Sequence, residues 1–177
     1  ILRTRRFCLI GVAIALAGAL GAVLLPGDPT ATALVISAVA ITIVAAAFLL
    51  YRTGDPLRFR MRITALGWYM PALCVTSSIP YFGVFSPAAI VLVLGVYFTG
   101  LGKSSRLAYA IYATLAGMQA LVAILVIGRI TRDTGLIVAH GLSTRDQIII
   151  QGLVQFVLAA TLVTARMSRQ TALVAVG

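Results

Sequence analysis

The sequence predicts an all-α integral membrane bundle of six transmembrane helices, with both termini in the cytoplasm. Three observations predict it. The chain is 61% hydrophobic and only 10% charged, and it contains no glutamate, whereas a soluble domain has about a quarter charged residues. Six apolar runs alternate with short connections, and the basic residues gather on alternate connections. We therefore expect residues 1–177 to form one domain in a lipid bilayer, and the apolar ends suggest a segment of a longer chain.

The first three spans are predicted where apolar runs approach the ~20 residues that a helix needs to cross a hydrocarbon core of about 30 Å. Between the first two, Asp28 suits a helix cap and Pro29 a first helical turn. The sequence Gly-Asp-Pro occurs at residues 27–29 and again at residues 54–56, ahead of the third run. The predicted spans are 7–25, 30–51 and 57–79.

A charge-free corner separates the third and fourth spans. Pro80 and Pro87 bracket the aromatic residues Tyr81, Phe82 and Phe85, and proline lacks a backbone donor and disfavours helix in the residue before it. One helix is therefore expected to end near residue 79 and another to begin near 87, with the rings in the headgroup layer. The remaining predicted spans are 87–101, 107–127 and 147–165.

The longest connection, residues 128–146, contains the single histidine, His140. Residues 135–142 are apolar enough for a short helix on the membrane surface. Thr144 and Gln147 have the spacing of a capping box for the sixth span. His140 is either a solvated loop residue or a pH-sensitive group in an acidic exterior.

The distribution of basic residues predicts the orientation of the spans. With a cytoplasmic N-terminus, three arginines lie outside, at 129, 132 and 145, and the other eleven of the 14 basic residues lie inside. Cytoplasmic loops carry the excess of lysine and arginine. This pattern predicts that both ends of the chain lie in the cytoplasm and that the aromatic corner faces the exterior.

Chemistry and nucleic-acid binding are disfavoured by the same pattern. Apart from Arg58, Arg60 and Arg62 in the first turns of the third helix, the predicted spans contain no ionisable side chain of the kind that proton relays and voltage sensors use. No serine has a histidine partner at its depth, and no metal-ligand motif occurs. The net charge of +10 is distributed as topology-setting charge rather than as a basic reading face. We therefore predict no catalytic residue, metal, cofactor or nucleic-acid partner, and Cys8 and Cys74 are expected to remain unpaired.

Uncharged polar side chains collect in the outer half of the predicted bundle. Gln147, Gln151 and Gln155 are four residues apart on one face of the sixth span. Gln119 reaches a similar depth from the fifth span, and Ser77 and Ser78 end the third. With Tyr81 as a roof, the candidate pocket consists of Gln119, Gln151, Gln155, Ser77, Ser78 and Tyr81.

Two interpretations of this cluster remain open. In the first, the amides and hydroxyls stabilise helix packing, and each interhelical hydrogen bond contributes about 0.6–2 kcal/mol. Alternatively, they line a pocket for a small extracytoplasmic ligand. Besides the bilayer and that ligand, a second copy of the chain is an allowed partner. Small residues at every fourth position of the first span let another helix approach closely.

The sequence resembles the multi-helix membrane region that precedes the catalytic domain of certain bacterial transmembrane serine/threonine kinases. The resemblance rests on residues 81–87 (YFGVFSP), 94–98 (LGVYF), 100–102 (GLG) and the basic end at 166–169. It implies a sensory or anchoring domain in the bacterial inner membrane, whose signal passes through the sixth helix to a cytoplasmic kinase. Kinase motifs are absent from these residues, so the chain itself is not expected to be an enzyme. The alternatives are a small permease or carrier-like subunit with an uncharged polar path, and a scaffold in a larger membrane complex.

Overall fold

The computed structural model describes residues 2–52, 69–72, 74–87, 89–138 and 141–174, with side chains from Cys8 onward. All regular secondary structure in these ranges is helical, which confirms the predicted all-α class. The chain divides into two compact units, Ile1–Ser77 and Ser78–Gly177, each of which is described by itself. The helices are α1 (Leu2–Leu24), α2 (Pro29–Arg52), α3 (Ser78–Phe82), α4 (Ala89–Gly100), α5 (Ser105–Ile127) and α6 (Thr144–Val174).

Three of the described helices, α2, α5 and α6, are long and apolar enough to cross a membrane. They contain the predicted spans 30–51, 107–127 and 147–165. The prediction of six spans is therefore only partly confirmed. The apolar part of α1 is shorter, and α4, with 12 residues, rises about 18 Å against a hydrocarbon core of about 30 Å. The predicted span 57–79 lies largely outside the described residues.

The first unit is built around a hairpin of α1 and α2. Cys8 near the start of α1 packs with Ala46 and Leu49 near the end of α2, and Val12 and Leu50 extend this cluster. Contact between the start of one helix and the end of the next makes the pair antiparallel. Both cysteines of the chain are free thiols, as predicted.

Asp28 caps α2, as the sequence predicts. Its Oδ1 accepts hydrogen bonds from the backbone N–H of Thr30 at 2.9 Å and of Ala31 at 3.0 Å, and the Thr30 hydroxyl donates to the same oxygen. These bonds satisfy N–H groups that a helix N-terminus leaves without an internal partner. The hydroxyl of Thr30 is the main cause of a lowered Asp28 pKa, and the backbone bond from Ala31 adds to it.

The lowered pKa of Asp28 predicts an acid-sensitive start of α2. Because the carboxyl group has a lower pKa in the folded chain than its ordinary value of 3.8, its contribution to stability is complete above that value and is lost as the pH falls through the folded pKa. We expect the amides of Thr30 and Ala31 to lose hydrogen-exchange protection over this acidic range. Asp28→Asn keeps a capping oxygen that does not titrate, so its protection should be flat with pH; a wild-type profile that is equally flat would contradict the prediction.

The second unit is a bundle of α4, α5 and α6. Leu92, Ile111, Leu115 and Leu158 have no exposed surface and form the centre of its packing. Large apolar side chains also cover the outside of the bundle; Phe156, for example, is 70% exposed. An apolar exterior of this kind suits contact with lipid tails. Helices α4 and α6 run in the same direction, and α5 runs opposite to both.

Helix α4 meets α6 where two small residues face each other. A Cβ atom at Gly100 would lie 2.7 Å from the Cβ of Ala165, so only glycine allows this approach. Arg166, the next residue of α6, donates through Nη1 to the carbonyls of Gly100 at 3.3 Å and Gly102 at 3.0 Å, and through Nη2 to the Ser105 hydroxyl. One arginine therefore fastens α6 to the end of α4 and the start of α5.

Both ends of α6 differ from the sequence prediction. The capping box is formed by Ser143 and Asp146: the Asp146 N–H donates to Ser143 Oγ, and the Ser143 N–H donates to Asp146 Oδ2, both at 3.2 Å. The helix therefore begins at Thr144, the residue that the sequence predicts as the cap. It continues past residue 165 to Val174, because the polar side chains after the apolar run do not interrupt helical hydrogen bonding.

Candidate functional site

The aromatic corner lies under a segment of the long connection. Residues 74–75 are helical, and the chain turns at residues 76–77. The helix expected to end near residue 79 therefore ends slightly earlier, and α3 follows. The Leu136 N–H donates to the Tyr81 carbonyl at 2.8 Å, and the Ile137 N–H donates to the Phe82 carbonyl at 2.9 Å. The predicted surface helix at 135–142 is therefore wrong for the described residues, where 135–138 have no helix.

Two glycines allow this segment to touch the corner backbone to backbone. A Cβ at Gly135 would lie 2.2 Å from both the N and the Cα of Gly83. Gly83 has φ +104, and a Cβ there would lie 2.6 Å from the carbonyl oxygen of Ile137. Each glycine is thus required by close approach, and Gly83 also by its left-handed backbone. We call the contact of residues 133–137 with residues 81–84 the corner latch.

Asp133 and Gln119 hold the same residue of the corner from two elements. The Val84 N–H donates to Asp133 Oδ2 at 3.2 Å, while Asp133 Oδ1 accepts from the Gly135 N–H at 3.2 Å. On α5, Gln119 is 1% exposed, and its Nε2 donates to the Val84 carbonyl at 2.9 Å. Both polar groups of Val84 are therefore satisfied by side chains distant in sequence, which fixes the corner above α5.

The structure has a crevice beside Gln119, and this crevice is the candidate pocket. Ser78 and Gln119 line it together with the apolar side chains of Ile79, Val84 and Leu92. Its interior leaves no room for a water molecule. In this conformation the crevice is closed, and a ligand could enter only if the corner moved.

Gln151 and Gln155 of α6 have different environments. Gln155 Nε2 donates to the Ala116 carbonyl of α5 at 3.1 Å, an interhelical bond of the kind expected from the sequence. One turn away, the amide nitrogen and oxygen of Gln151 are both buried, and neither has a hydrogen-bond partner within the part of the chain that the structure describes. An unsatisfied buried amide is unfavourable by roughly 1–3 kcal/mol per group.

The other predicted site residues are dispersed. Tyr81 is 2% exposed, and its ring packs edge-on against Phe82 with a centroid distance of 5.0 Å, so it lies inside the protein rather than in a headgroup layer. Ser77 belongs to the first unit, where its hydroxyl donates to the Cys74 carbonyl at 2.7 Å. His140 lies outside the described residues. Gln119 and Ser78 are the predicted residues that share the crevice.

The glutamine environments give a prediction that distinguishes packing from ligand binding. Gln119→Leu leaves the buried Val84 carbonyl without its donor and should destabilise the bundle by about 1–3 kcal/mol. Gln151→Leu removes an amide that has no partner in the described part of the chain and should leave stability unchanged or raise it. Thermal unfolding in detergent micelles measures both, with Gln155→Leu expected to be intermediate at about 0.6–2 kcal/mol.

A different ranking would show that the amide of Gln151 has a partner. If Gln151→Leu destabilises the protein as much as Gln119→Leu, Gln151 binds a group such as a water molecule or ligand, and the packing interpretation of this residue is wrong.

Sequence reasoning misses the residues that build the corner latch. It assigns no role in the site to Asp133, Gly83 or Gly135. A local signal exists, because Asp133-Thr134-Gly135 has the composition of a turn in which the Asp side chain binds a backbone group two residues on. The contact with Val84, 49 residues away, has no such local signal.

Comparison with known proteins does not identify the chain. Within the described residues there is no group of three or more histidine, cysteine or acidic side chains that could hold a metal ion. The chain matches no family model, no curated protein and no solved structure.

Proposed function

We propose that the chain is a membrane-embedded sensory or anchoring domain that relays a signal along α6 to a cytoplasmic effector. The observation that carries this proposal is the continuity of α6. It is one helix of 31 residues, about 46 Å long at 1.5 Å per residue, and it joins the end of the bundle that contains the corner latch to the end that contains Arg166. Movement at the latch would reach the far end without an intervening hinge.

The sensing end in this proposal is the corner latch with the crevice below it. The crevice is closed. Three hydrogen bonds hold the latch, from the N–H groups of Leu136 and Ile137 to the corner carbonyls and from the Val84 N–H to Asp133, and Gln119 holds Val84 from α5. A small ligand that opened the latch would expose Ser78 and Gln119 as hydrogen-bonding groups. Opening would also shift α5 and thus its contact with α6 through Gln155.

The apolar helices support membrane placement, and we propose the six-pass topology with both termini in the cytoplasm. In the second unit, Lys103 and Arg106 lie near Arg166, at the end opposite to Asp133. Under the positive-inside rule this end faces the cytoplasm, which places the C-terminal end of α6 on the side of an effector. From the resemblance of residues 81–87 and 94–102, we propose a serine/threonine kinase as that effector.

The relay is tested by inserting one to four alanines after Arg169 in the parent protein. Each residue rotates the following helix by about 100°, so a rotational relay predicts that effector activity in membrane vesicles changes with one or two insertions and returns with four. Phosphate incorporation is the readout for a kinase. Activity that is independent of the insertion length would overturn the relay, and a parent chain without kinase motifs after residue 177 would overturn the choice of effector.

A carrier-like function is the second candidate, and the observation that favours it is the buried amide of Gln151, which has no hydrogen-bond partner among the described residues. Its path would be lined by Gln151, Gln119 and Ser78. Proteoliposomes offered a panel of labelled uncharged amino acids and sugars test it. Uptake that Gln151→Leu abolishes would support the carrier, whereas equal uptake by empty and protein-containing vesicles would exclude it for these solutes.

A further inference from the structure

The two ends of the second unit differ in charge. We name the group of Lys103, Arg106, Arg166 and Arg169 the basic end. The group is compact because Arg166 binds the carbonyl of Gly102 and the hydroxyl of Ser105, which flank Lys103 and precede Arg106. Arg169 follows Arg166 by three residues and thus lies on the same side of α6.

No carboxylate of this unit lies near the basic end. The sequence of residues 78–177 contains two acidic side chains, Asp133 and Asp146. Asp133 binds Val84 and Gly135 in the corner latch, and Asp146 binds Ser143 at the start of α6. Asp146 is 20 residues from Arg166, about 30 Å along the helix. The charges of the basic end are therefore not neutralised by acidic groups of their own unit.

The basic end is also available to an external partner. Lys103 and Arg106 are exposed, and Ser104 and Ser105 beside them are exposed as well. Arg166 uses its guanidinium for protein carbonyls and a hydroxyl, which are uncharged acceptors. The arginine thus positions the loop while its positive charge remains at the surface.

We propose that the basic end is a binding surface for anionic phospholipid headgroups. It lies at the start of α5 and in the C-terminal part of α6. Both helices are apolar enough to span a bilayer, so the cations would be level with lipid phosphates on one side of the membrane. Arginine and lysine beside a span attract anionic lipids, and a cluster of four is enough for lipid recognition. The inference rests on the membrane placement proposed above, but not on the sensory role.

The opposite end of the unit provides a matched control. It carries three arginines, Arg129, Arg132 and Arg145, together with the two carboxylates. Its net positive charge is much smaller than that of the basic end, although arginine is the main basic residue at both ends. A preference for anionic lipid that arises from the basic end should therefore survive the loss of two arginines at the opposite end.

The experiment uses the full chain in nanodiscs of phosphatidylcholine with a minority of phosphatidylglycerol. Native mass spectrometry measures the ratio of the two lipids retained on the protein. We expect retained phosphatidylglycerol to exceed its share of the bilayer at low salt and to approach that share at high salt. The double variant Lys103→Gln/Arg106→Gln should lower the enrichment by about fivefold or more, and Arg132→Gln/Arg145→Gln should leave it unchanged.

Three results would overturn the proposal: no enrichment in the wild-type chain, enrichment that is insensitive to salt, or an equal loss in both double variants. Failure of the chain to enter nanodiscs would instead contradict the membrane placement. All four substituted side chains are exposed, and the salt dependence of the wild-type chain tests the proposal without any substitution.

Discussion

Gly135→Ala should open the corner latch and strongly destabilise the second unit. The added Cβ would lie 2.2 Å from the N and Cα of Gly83 and 2.7 Å from the carbonyl carbon of Phe82. All three are backbone atoms, which cannot move aside by a change of rotamer. We expect a loss of about 3 kcal/mol, the upper part of the range for overpacked sites.

The measurement is thermal unfolding in detergent micelles, together with hydrogen exchange of residues 133–137. The amides of Leu136 and Ile137 donate to the corner, so both should lose protection in the variant. Gly152→Ala is the matched control, since a Cβ there meets nothing within 4 Å and alanine is the better helix former. Unchanged protection of Leu136 and Ile137 in Gly135→Ala would show that the latch does not depend on this close approach.

Gly100→Ala is expected to separate α4 from α6 at their crossing, with a smaller loss of stability than Gly135→Ala. The new methyl group would lie 2.7 Å from the Cβ of Ala165, and neither side chain has a rotamer that relieves the contact. Separation of the helices would also lengthen the hydrogen bonds of Arg166 to Gly100 and Gly102. A destabilisation of about 1–3 kcal/mol follows.

A compensating substitution makes this prediction specific. Ala165→Gly removes the atom that the new methyl group meets, so Gly100→Ala/Ala165→Gly should recover most of the stability lost in the single variant. Residues in direct contact give non-additive changes in a double-mutant cycle. Gly117→Ala, in open surroundings on α5, serves as the control. Additive effects in the cycle would mean that the two residues do not pack against each other.

Local features of the chain are predictable because they depend on neighbouring residues. The cap at Asp28 requires a side-chain acceptor that precedes the amides of Thr30 and Ala31 by two and three residues. The residue types at 28–30 are sufficient to predict it. The long apolar helices α2, α5 and α6 follow from hydropathy alone. The capping box of α6 lies one residue before its predicted position, because Asp146 takes the acceptor role that the spacing assigns to Gln147.

The candidate site is predictable only in part. The periodicity of the glutamines indicates a polar face on α6, and the bond from Gln155 to Ala116 agrees with it. The pattern does not indicate that Gln119 is satisfied by Val84 while Gln151 has no partner among the described residues. Partner choice depends on the positions of carbonyl groups on another element, which residue spacing within one helix does not contain.

The sequence by itself determined the helical class, the apolar helices, the cap of α2 and the segregation of basic from acidic residues, because these depend on composition and short spacings. Only the tertiary structure decided that Gly83 touches Gly135, that Gly100 touches Ala165, and that Asp133 holds Val84. Each of these contacts joins elements that are far apart in the chain. Their formation therefore depends on the close packing of the folded bundle. The residues of one local segment do not determine that packing.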